Sequence, residues 1–132
     1  MPKEHVNPAS LFRSVEHGFS QVVIASGAKT VFISGQAAWD ANKQIVGLSL
    51  GEQARRAFRN VGAAVEGAGG NLGDIVALRI YFVHHTSQNV EVISSALREF
   101  FATNPPTSTW VGVSSLARPD FLIEIEATAV LQ

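Results

Sequence analysis

Residues 105–130 have the sequence PPTSTWVGVSSLARPDFLIEIEATAV, and this stretch decides the fold. Both ends are rich in residues that favour strands, whereas the middle contains the serines and the proline of a loop. The stretch therefore predicts two strands joined by a short loop. Glu124 and Glu126 stand inside the second strand, where an uncompensated carboxylate is costly to bury, so we expect at least one to serve structure or chemistry.

Alternation along this last strand places its side chains on two faces. One face takes Phe121, Ile123, Ile125, Ala127 and Ala129, and the other takes Leu122, Glu124, Glu126, Thr128 and Val130. The two carboxylates then stand roughly 6–7 Å apart, a spacing that suits a general acid and base or a metal ion. The alternative is structural, because either carboxylate could pair with Arg79 or Arg118 or lie near a wet interface.

The N-terminal part of the chain predicts an arm followed by a hairpin. Residues 1–16 show no periodicity and indicate an extended, irregular arm. Residues 22–25 and 30–33 are short apolar runs on either side of Gly27-Ala28-Lys29, which is typical of a β-hairpin. Ser34-Gly35-Gln36 is expected to end the second strand.

Two amphipathic helices are predicted in the centre of the chain. Ser49 and Glu52 have the spacing of a capping box, and apolar residues then recur at helical spacing as far as Gly69-Gly70. A strand at 75–83 follows, and residues 86–89 supply N-cap candidates for a second helix that ends before Pro105. The element order is therefore β-β-α-β-α-β-β, in one domain over residues 1–132.

This order predicts an α+β fold with a mixed sheet. A helix between consecutive strands, twice over, places both helices on one face of the sheet. Strands such as Val31-Phe32-Ile33 are apolar in succession, so the opposite face also needs cover. Since no residues remain to cover it, we expect a homo-oligomer.

The composition excludes several classes of protein. The net charge is −1 and no basic tract is present, so a nucleic-acid partner is not expected. The chain has no cysteine, hence no disulfide and no zinc-thiolate site, and the adjacent His84 and His85 point apart on an extended chain, so no metal site is expected. No apolar run approaches membrane-spanning length, and a soluble cytoplasmic protein is the expectation.

Short motifs recur along the chain in an order that resembles a known family. They are Gly18-Phe19-Ser20-Gln21, Ser34-Gly35-Gln36, Glu52-Gln53, Asn60-Val61, Gly69, Asp74-Ile75-Val76, Phe100-Phe101, Pro106 and Ile123-Glu124-Ile125-Glu126-Ala127. From about residue 16 to residue 130 the chain resembles the Rid family, the YjgF-like reactive intermediate deaminases also labelled endoribonuclease L-PSP. Each motif alone is weak, but together and in order they are specific.

The resemblance implies a chorismate-mutase-like α+β subunit. It also implies a homotrimer with a central barrel and three clefts between subunits, which agrees with the uncovered sheet face. Active members hydrolyse enamines and imines derived from amino acids, such as 2-aminoacrylate, to a 2-keto acid and ammonia. They need no cofactor.

The chain departs from the family pattern at four cleft positions. The arginine that grips the substrate carboxylate falls on Ser108, and a small residue two places later, often cysteine, falls on Trp110. A family tyrosine falls on Phe19, which has no hydroxyl, and a family asparagine falls near Ser94. Loss of the arginine removes the bidentate contact that positions a carboxylate.

Two cleft residues are retained. The resemblance implies that the Gly35 backbone lines the cleft and that Glu124 orients the attacking water. Arg118, in the loop before the last strand, is a candidate substitute for the missing arginine.

The sequence thus predicts a Rid-like trimer that binds a small, less acidic or aromatic-tolerant metabolite in its intersubunit clefts, with little or no 2-imino or enamine acid deaminase activity. The alternative is a hydrolase or deaminase of a different imine or enamine that uses Glu124 to position water. Ribonuclease activity is disfavoured because the chain lacks a basic groove and a convincing acid-base pair.

Overall fold

The structure is a computed structural model that describes residues 3–132. Within that range the chain forms six strands and two α-helices. In chain order they are β1 (Lys3–Val6), β2 (Val22–Ala25), β3 (Lys29–Ala37), α1 (Leu50–Gly67), β4 (Ile75–Phe82), α2 (Ser87–Phe100), β5 (Thr107–Gly112) and β6 (Ile123–Leu131). Two short 3₁₀ turns, at Ser14–His17 and Leu72–Asp74, complete the regular structure of the described residues.

A four-stranded mixed sheet with the order β3-β6-β4-β5 forms the centre of the molecule. β6 is antiparallel to both of its neighbours, and β4 is parallel to β5. The two strands predicted for residues 105–130 are therefore confirmed, but they are not neighbours. β6 lies inside the sheet whereas β5 is an edge, because β4 already occupies the position between them.

The predicted hairpin of β2 and β3 is wrong. β2 pairs with β1 in a separate two-stranded sheet, with Val22 opposite Val6, and β3 pairs with β6. The arm is likewise not irregular throughout, since residues 3–6 form a strand; residues 1 and 2 lie outside the described range. A turn signal between two strands indicates a change of direction but does not choose the hydrogen-bonding partners.

β3 also continues beyond the point where it was expected to end. The register of its pairing with β6 shifts between Ile33 and Gln36, which marks a β-bulge, and pairing resumes as far as Ala37. A bulge adds a residue to one strand and bends it locally without ending it. Gly35 lies within this bulge.

Both predicted helices are confirmed. Ser49 Oγ accepts the Glu52 backbone amide at 3.1 Å and Glu52 Oε1 accepts the Ser49 amide at 3.1 Å, which completes the capping box of α1. Thr86 Oγ1 caps α2 by accepting the Asn89 amide at 3.0 Å. The apolar stripes of both helices pack against one face of the four-stranded sheet. No helix within residues 3–132 has the length and apolar character needed to cross a membrane.

The two faces of the four-stranded sheet differ in cover. On β6 the odd-numbered residues, from Ile123 to Leu131, are buried beneath the helices, and the even-numbered ones are half-buried, as the alternation predicted. On the opposite face no element of the described chain covers Phe32, which is 81% exposed. We call the face covered by the helices the helix face, and the face that carries Phe32 the open face.

Candidate functional site

Ser108 and Trp110 lie on the helix face of edge strand β5. Ser108 is paired with Leu78 and Trp110 with Ile80, and both partners are buried under the helices. The Trp110 indole nitrogen donates a hydrogen bond to Ser108 Oγ at 2.8 Å. The serine oxygen is therefore engaged as an acceptor, while its own O–H remains available to donate.

Aromatic side chains extend from Trp110 towards the N-terminal loop. The Phe19 ring packs on Trp110 with centroids 5.8 Å apart, and the Phe12 ring packs edge-on against Phe19 at 6.1 Å. We call Phe12, Phe19 and Trp110 the aromatic row. Phe12 was not selected from the sequence, because it falls in an irregular segment where no periodicity or motif distinguishes it.

Gly35 and Glu124 form a second group, on the open face. Glu124 is paired with Tyr81 on β4 and with Ala37 on β3, and its side chain lies across the bulge at Gly35. A Cβ atom at position 35 would lie 2.7 Å from Glu124 Cδ and closer still to Oε2. Glycine is therefore required there for the carboxylate to occupy this position. Glu124 forms no ion pair with any residue of the described chain.

Glu126 has a structural role, which is one of the two roles that the sequence predicted for the glutamates of β6. Its Oε1 accepts the Tyr81 hydroxyl at 3.2 Å, and its Oε2 lies 3.8 Å from Arg79 Nη1. Desolvation, followed by the negative charge of Glu126 and this hydrogen bond, raises the pKa of Tyr81. Because Glu126 is engaged by both neighbours, the pair of glutamates does not present two unoccupied carboxylates. No cluster of three or more metal-ligating side chains occurs within residues 3–132.

Arg118 is engaged away from Ser108. Its guanidinium carbon lies 5.5 Å from the centre of the Trp39 ring and 5.8 Å from that of Phe121, and its Nη1 donates to the Lys43 carbonyl at 3.3 Å. The loop that carries Arg118 begins beyond the end of β5, about 13 Å along the strand from Ser108. Within one subunit, Arg118 does not take the place of the missing arginine.

Ser94 lies on the buried side of α2. Its side chain is fully buried, and its hydroxyl has no hydrogen-bond partner in the described chain. The adjoining 3₁₀ turn packs closely here, since a Cβ atom at Gly18 would lie 3.3 Å from the Ser94 carbonyl oxygen. Within one subunit, Ser94 therefore belongs to the packing between this turn and α2.

Five of the seven predicted cleft residues thus fall into two groups on opposite faces of the sheet, and Ser94 and Arg118 belong to neither group. Ser108, Trp110 and Phe19 lie on the helix face, and Gly35 and Glu124 lie on the open face. The first group offers a hydroxyl donor beside aromatic rings, and the second offers a carboxylate acceptor. Because the sheet separates them, one subunit does not bring the two groups together.

Comparison with known proteins agrees with this architecture. The family model described as Endoribonuclease L-PSP matches residues 12–131. The Dermatophagoides farinae protein named 2-iminobutanoate/2-iminopropanoate deaminase is 30% identical over 105 residues, which cover 78% of this chain and 79% of the relative. The human protein of the same name is 27% identical over 113 residues, which cover 85% of this chain and 79% of the relative.

Two solved structures show how far the similarity extends. YyfB from Yersinia pestis, a Rid-family protein of unknown function, is 37% identical and covers 99% of this chain and 100% of its own, with a TM-score of 0.95. Escherichia coli TdcF with bound serine is 30% identical and covers 81% of this chain and 87% of its own, with a TM-score of 0.69. The two helices and the mixed sheet form the α+β, chorismate-mutase-like fold, and the chain belongs to the Rid family of YjgF-like proteins.

Proposed function

We propose that this protein binds a small metabolite in clefts between its subunits and has weak or no 2-imino acid deaminase activity. The observation that carries the proposal is the hydrogen bond from Trp110 to Ser108, at the position where the family pattern has arginine. An arginine holds a carboxylate through two charge-assisted hydrogen bonds. Serine donates only one hydrogen bond, worth about 0.5–1.5 kcal/mol net.

The proposed assembly is a ring of three copies. Both edges of the four-stranded sheet are open in the described chain, since β3 and β5 each pair on one side only. Gly35 lies on the β3 edge and Ser108 on the β5 edge. If β3 of one copy lies beside β5 of the next, the bulge at Gly35 of one subunit comes close to the strand that carries Ser108 of its neighbour, and no exposed edge remains.

The open face supports the same assembly. Phe32 is largely exposed there, and Val111 on β5 is also exposed on that side. A large exposed aromatic side chain on a sheet face is typical of a surface that another subunit covers. A closed ring would bury these side chains at its centre and leave the helices outside.

The test is a rate measurement with 2-imino acids generated in situ from amino acids by an oxidase, using the Dermatophagoides farinae relative as the reference enzyme. We expect the release of 2-keto acid to stay close to the uncatalysed rate. Rates like those of the relative would contradict the proposal. Light scattering under the same conditions gives the oligomeric state, so that inactivity can be separated from a failure to assemble.

A second candidate function is hydrolysis of a different imine or enamine. The observation that favours it is the position of Glu124, which is held over Gly35 without an ion-pair partner in the described chain and could orient a water molecule. Under this hypothesis Glu124→Ala abolishes turnover of that substrate and Glu124→Gln reduces it strongly. Turnover unchanged in both variants would rule out this role.

A further inference from the structure

We propose that the aromatic row, Phe12, Phe19 and Trp110, binds an uncharged, planar aromatic group of the ligand. The Ser108 hydroxyl would donate a hydrogen bond to a polar substituent of that group. The inference rests on the proposed function, since it assumes that a ligand occupies the Ser108 side of the cleft. It assigns a binding role to Phe12, and it narrows the ligand from a small metabolite to an aromatic amide, ketone, alcohol or heterocycle.

Phe12 is presented to solvent by a well-anchored loop. Phe12 as a whole is 62% exposed, although its backbone carbonyl accepts a hydrogen bond from Gln21 Nε2 at 2.9 Å. The backbone amide of Gln21 donates a second hydrogen bond, to Asn7 Oδ1 at 2.8 Å. Arg98 on α2 donates to the Glu16 carbonyl at 2.9 Å and ties the same loop to the helix. A loop held at several points keeps the exposed ring beside Phe19.

The geometry of the rings suits an aromatic ligand. Phe12 and Phe19 are inclined at 71° and Phe19 and Trp110 at 59°, so neighbouring rings present both edges and faces along the row. Aromatic rings attract one another in edge-to-face and offset arrangements with centroids 4.5–7 Å apart. A planar ring placed along the row can make such contacts with two of its members at once.

The arginines near the row offer no unpaired guanidinium to an acidic ligand. Arg13 forms an ion pair with Glu16 at 3.1 Å, and Arg98 forms one with Glu91 at 2.9 Å. The two arginines that border the loop are therefore already paired. Ser108 offers a single neutral donor, because its oxygen accepts the Trp110 indole N–H. A carbonyl, hydroxyl or ring nitrogen satisfies that donor without the cost of desolvating a carboxylate.

Indole N–H resonances of the full-length protein provide the test. The chain has two tryptophans, and Trp39 packs against Phe121 at a 5.0 Å centroid distance, away from the row, so its signal is an internal control. We expect titration with benzamide to shift the Trp110 resonance and to leave that of Trp39 in place. Cyclohexanecarboxamide, which has the same amide but no aromatic ring, and pyruvate, which is acidic, should bind at least about tenfold more weakly.

Two substitutions test whether benzamide binds to the aromatic row or to other exposed apolar side chains. Phe12→Ala should weaken benzamide binding about five- to tenfold, because one aromatic contact is lost. Leu48→Ala removes a side chain that is 90% exposed outside the row and should leave binding unchanged. Light scattering on each variant reports whether the assembly has changed.

Four results would overturn the inference. Equal binding of benzamide and cyclohexanecarboxamide would show that the row selects apolar rather than aromatic groups. A Trp110 shift with pyruvate but not with benzamide would overturn the aromatic class and leave ligand binding at the cleft intact, whereas no shift with any probe would count against both proposals. Altered oligomeric state with unaltered benzamide affinity in Phe12→Ala would make Phe12 a contact between copies.

Discussion

Trp110 donates its indole N–H to Ser108 Oγ over 2.8 Å, and this contact links two of the four positions at which this chain departs from the family pattern. The indole occupies the space beside the position of the family arginine, and Phe19 packs against it. Changing residue 108 alone would therefore leave the neighbouring ring in place. The two positions are expected to act as a coupled pair.

The coupling predicts which substitutions would raise deaminase activity. Ser108→Arg alone should raise the rate of 2-imino acid hydrolysis only slightly, because Trp110 obstructs the guanidinium. Ser108→Arg combined with Trp110→Cys should raise it by at least about tenfold, through positioning of the substrate carboxylate. Steady-state release of 2-keto acid measures the effect, and Ser108→Ala with Trp110→Cys is the matched control. Equal rates in the two double variants would contradict the prediction.

Gly35 is predicted to be essential for the position of Glu124. In Gly35→Ala the new methyl group collides with the Glu124 carboxylate, and we expect a loss of about 1–3 kcal/mol in the free energy of unfolding. Urea denaturation measures this loss. Most of it should disappear when the same change is made in a Glu124→Ala background, since the colliding atoms are then absent.

A glycine with open surroundings provides the control for that experiment. A Cβ atom at Gly67, the last residue of α1, would meet nothing within 4 Å. Gly67→Ala should therefore be neutral or stabilising, by up to about 1 kcal/mol, because alanine favours the helix. If Gly35→Ala were as well tolerated as Gly67→Ala, the steric account of the Glu124 position would be wrong.

Gln53 is predicted to hold the start of β6 in place. It is only 2% exposed, its Oε1 accepts the Leu122 amide at 2.8 Å, and its Nε2 donates to the Asp120 carbonyl at 2.9 Å. Gln53→Met keeps the shape but leaves these backbone groups without partners, and should lower the free energy of unfolding by about 1–3 kcal/mol.

Chemical denaturation compares this variant with Gln44→Ala, a change in an exposed loop glutamine whose side-chain amide makes only a long contact of 3.4 Å, with the Asn42 carbonyl. The control should stay within about 0.5 kcal/mol of the parent protein. A Gln53→Met protein as stable as that control would show that the buried amide contributes nothing to the loop before Glu124.

The pairing of β1 with β2 is predicted to weaken in acid. Burial, followed by the positive charge of Lys3, lowers the pKa of His5, although a hydrogen bond with the Asn104 backbone opposes this. Its Nε2 is buried without a hydrogen-bond partner in the described chain. The docked arm therefore favours neutral histidine. Its stability is complete above pH 6.5, the ordinary value, and falls as the pH drops below it, because the undocked arm takes up the proton more readily.

Amide hydrogen exchange of residues 3–6 and 22–25, expressed as protection factors at pH 7.5 and pH 5, measures the effect. Protection should decrease at pH 5 in the parent protein, and His5→Gln should remove most of the pH dependence. Equal protection at the two pH values in the parent would refute the assignment to His5. Protection of β6, which lies inside the main sheet, serves as the internal reference.

Local signals made much of the fold predictable from the sequence. The capping residues Ser49 and Thr86 and the alternation along β6 all appear as predicted, because each depends on contacts within a few residues of chain. The pairing of the strands was harder to predict from the sequence. β2 was assigned to β3 because they are adjacent in sequence, but its partner is β1, and such pairing depends on the packing of the whole sheet.

The candidate site likewise combines residues that the sequence identified with an arrangement that only the structure shows. Ser108 and Glu124 were identified from their place in the motif order, yet only the sheet register shows that they lie on opposite faces of one subunit. Phe12 had no signal in the sequence, because its role depends on a loop folding back onto Phe19.

By itself the sequence determined both α-helices, five of the six strands of the described chain and the family, because residue type and spacing act locally. The tertiary structure alone decided that Trp110 engages Ser108, that Glu124 rests on Gly35, and that Arg118 packs on Trp39 away from Ser108. These relationships join segments distant in the chain or depend on side-chain orientation. They arise when packing, rather than local propensity, selects the lowest free energy.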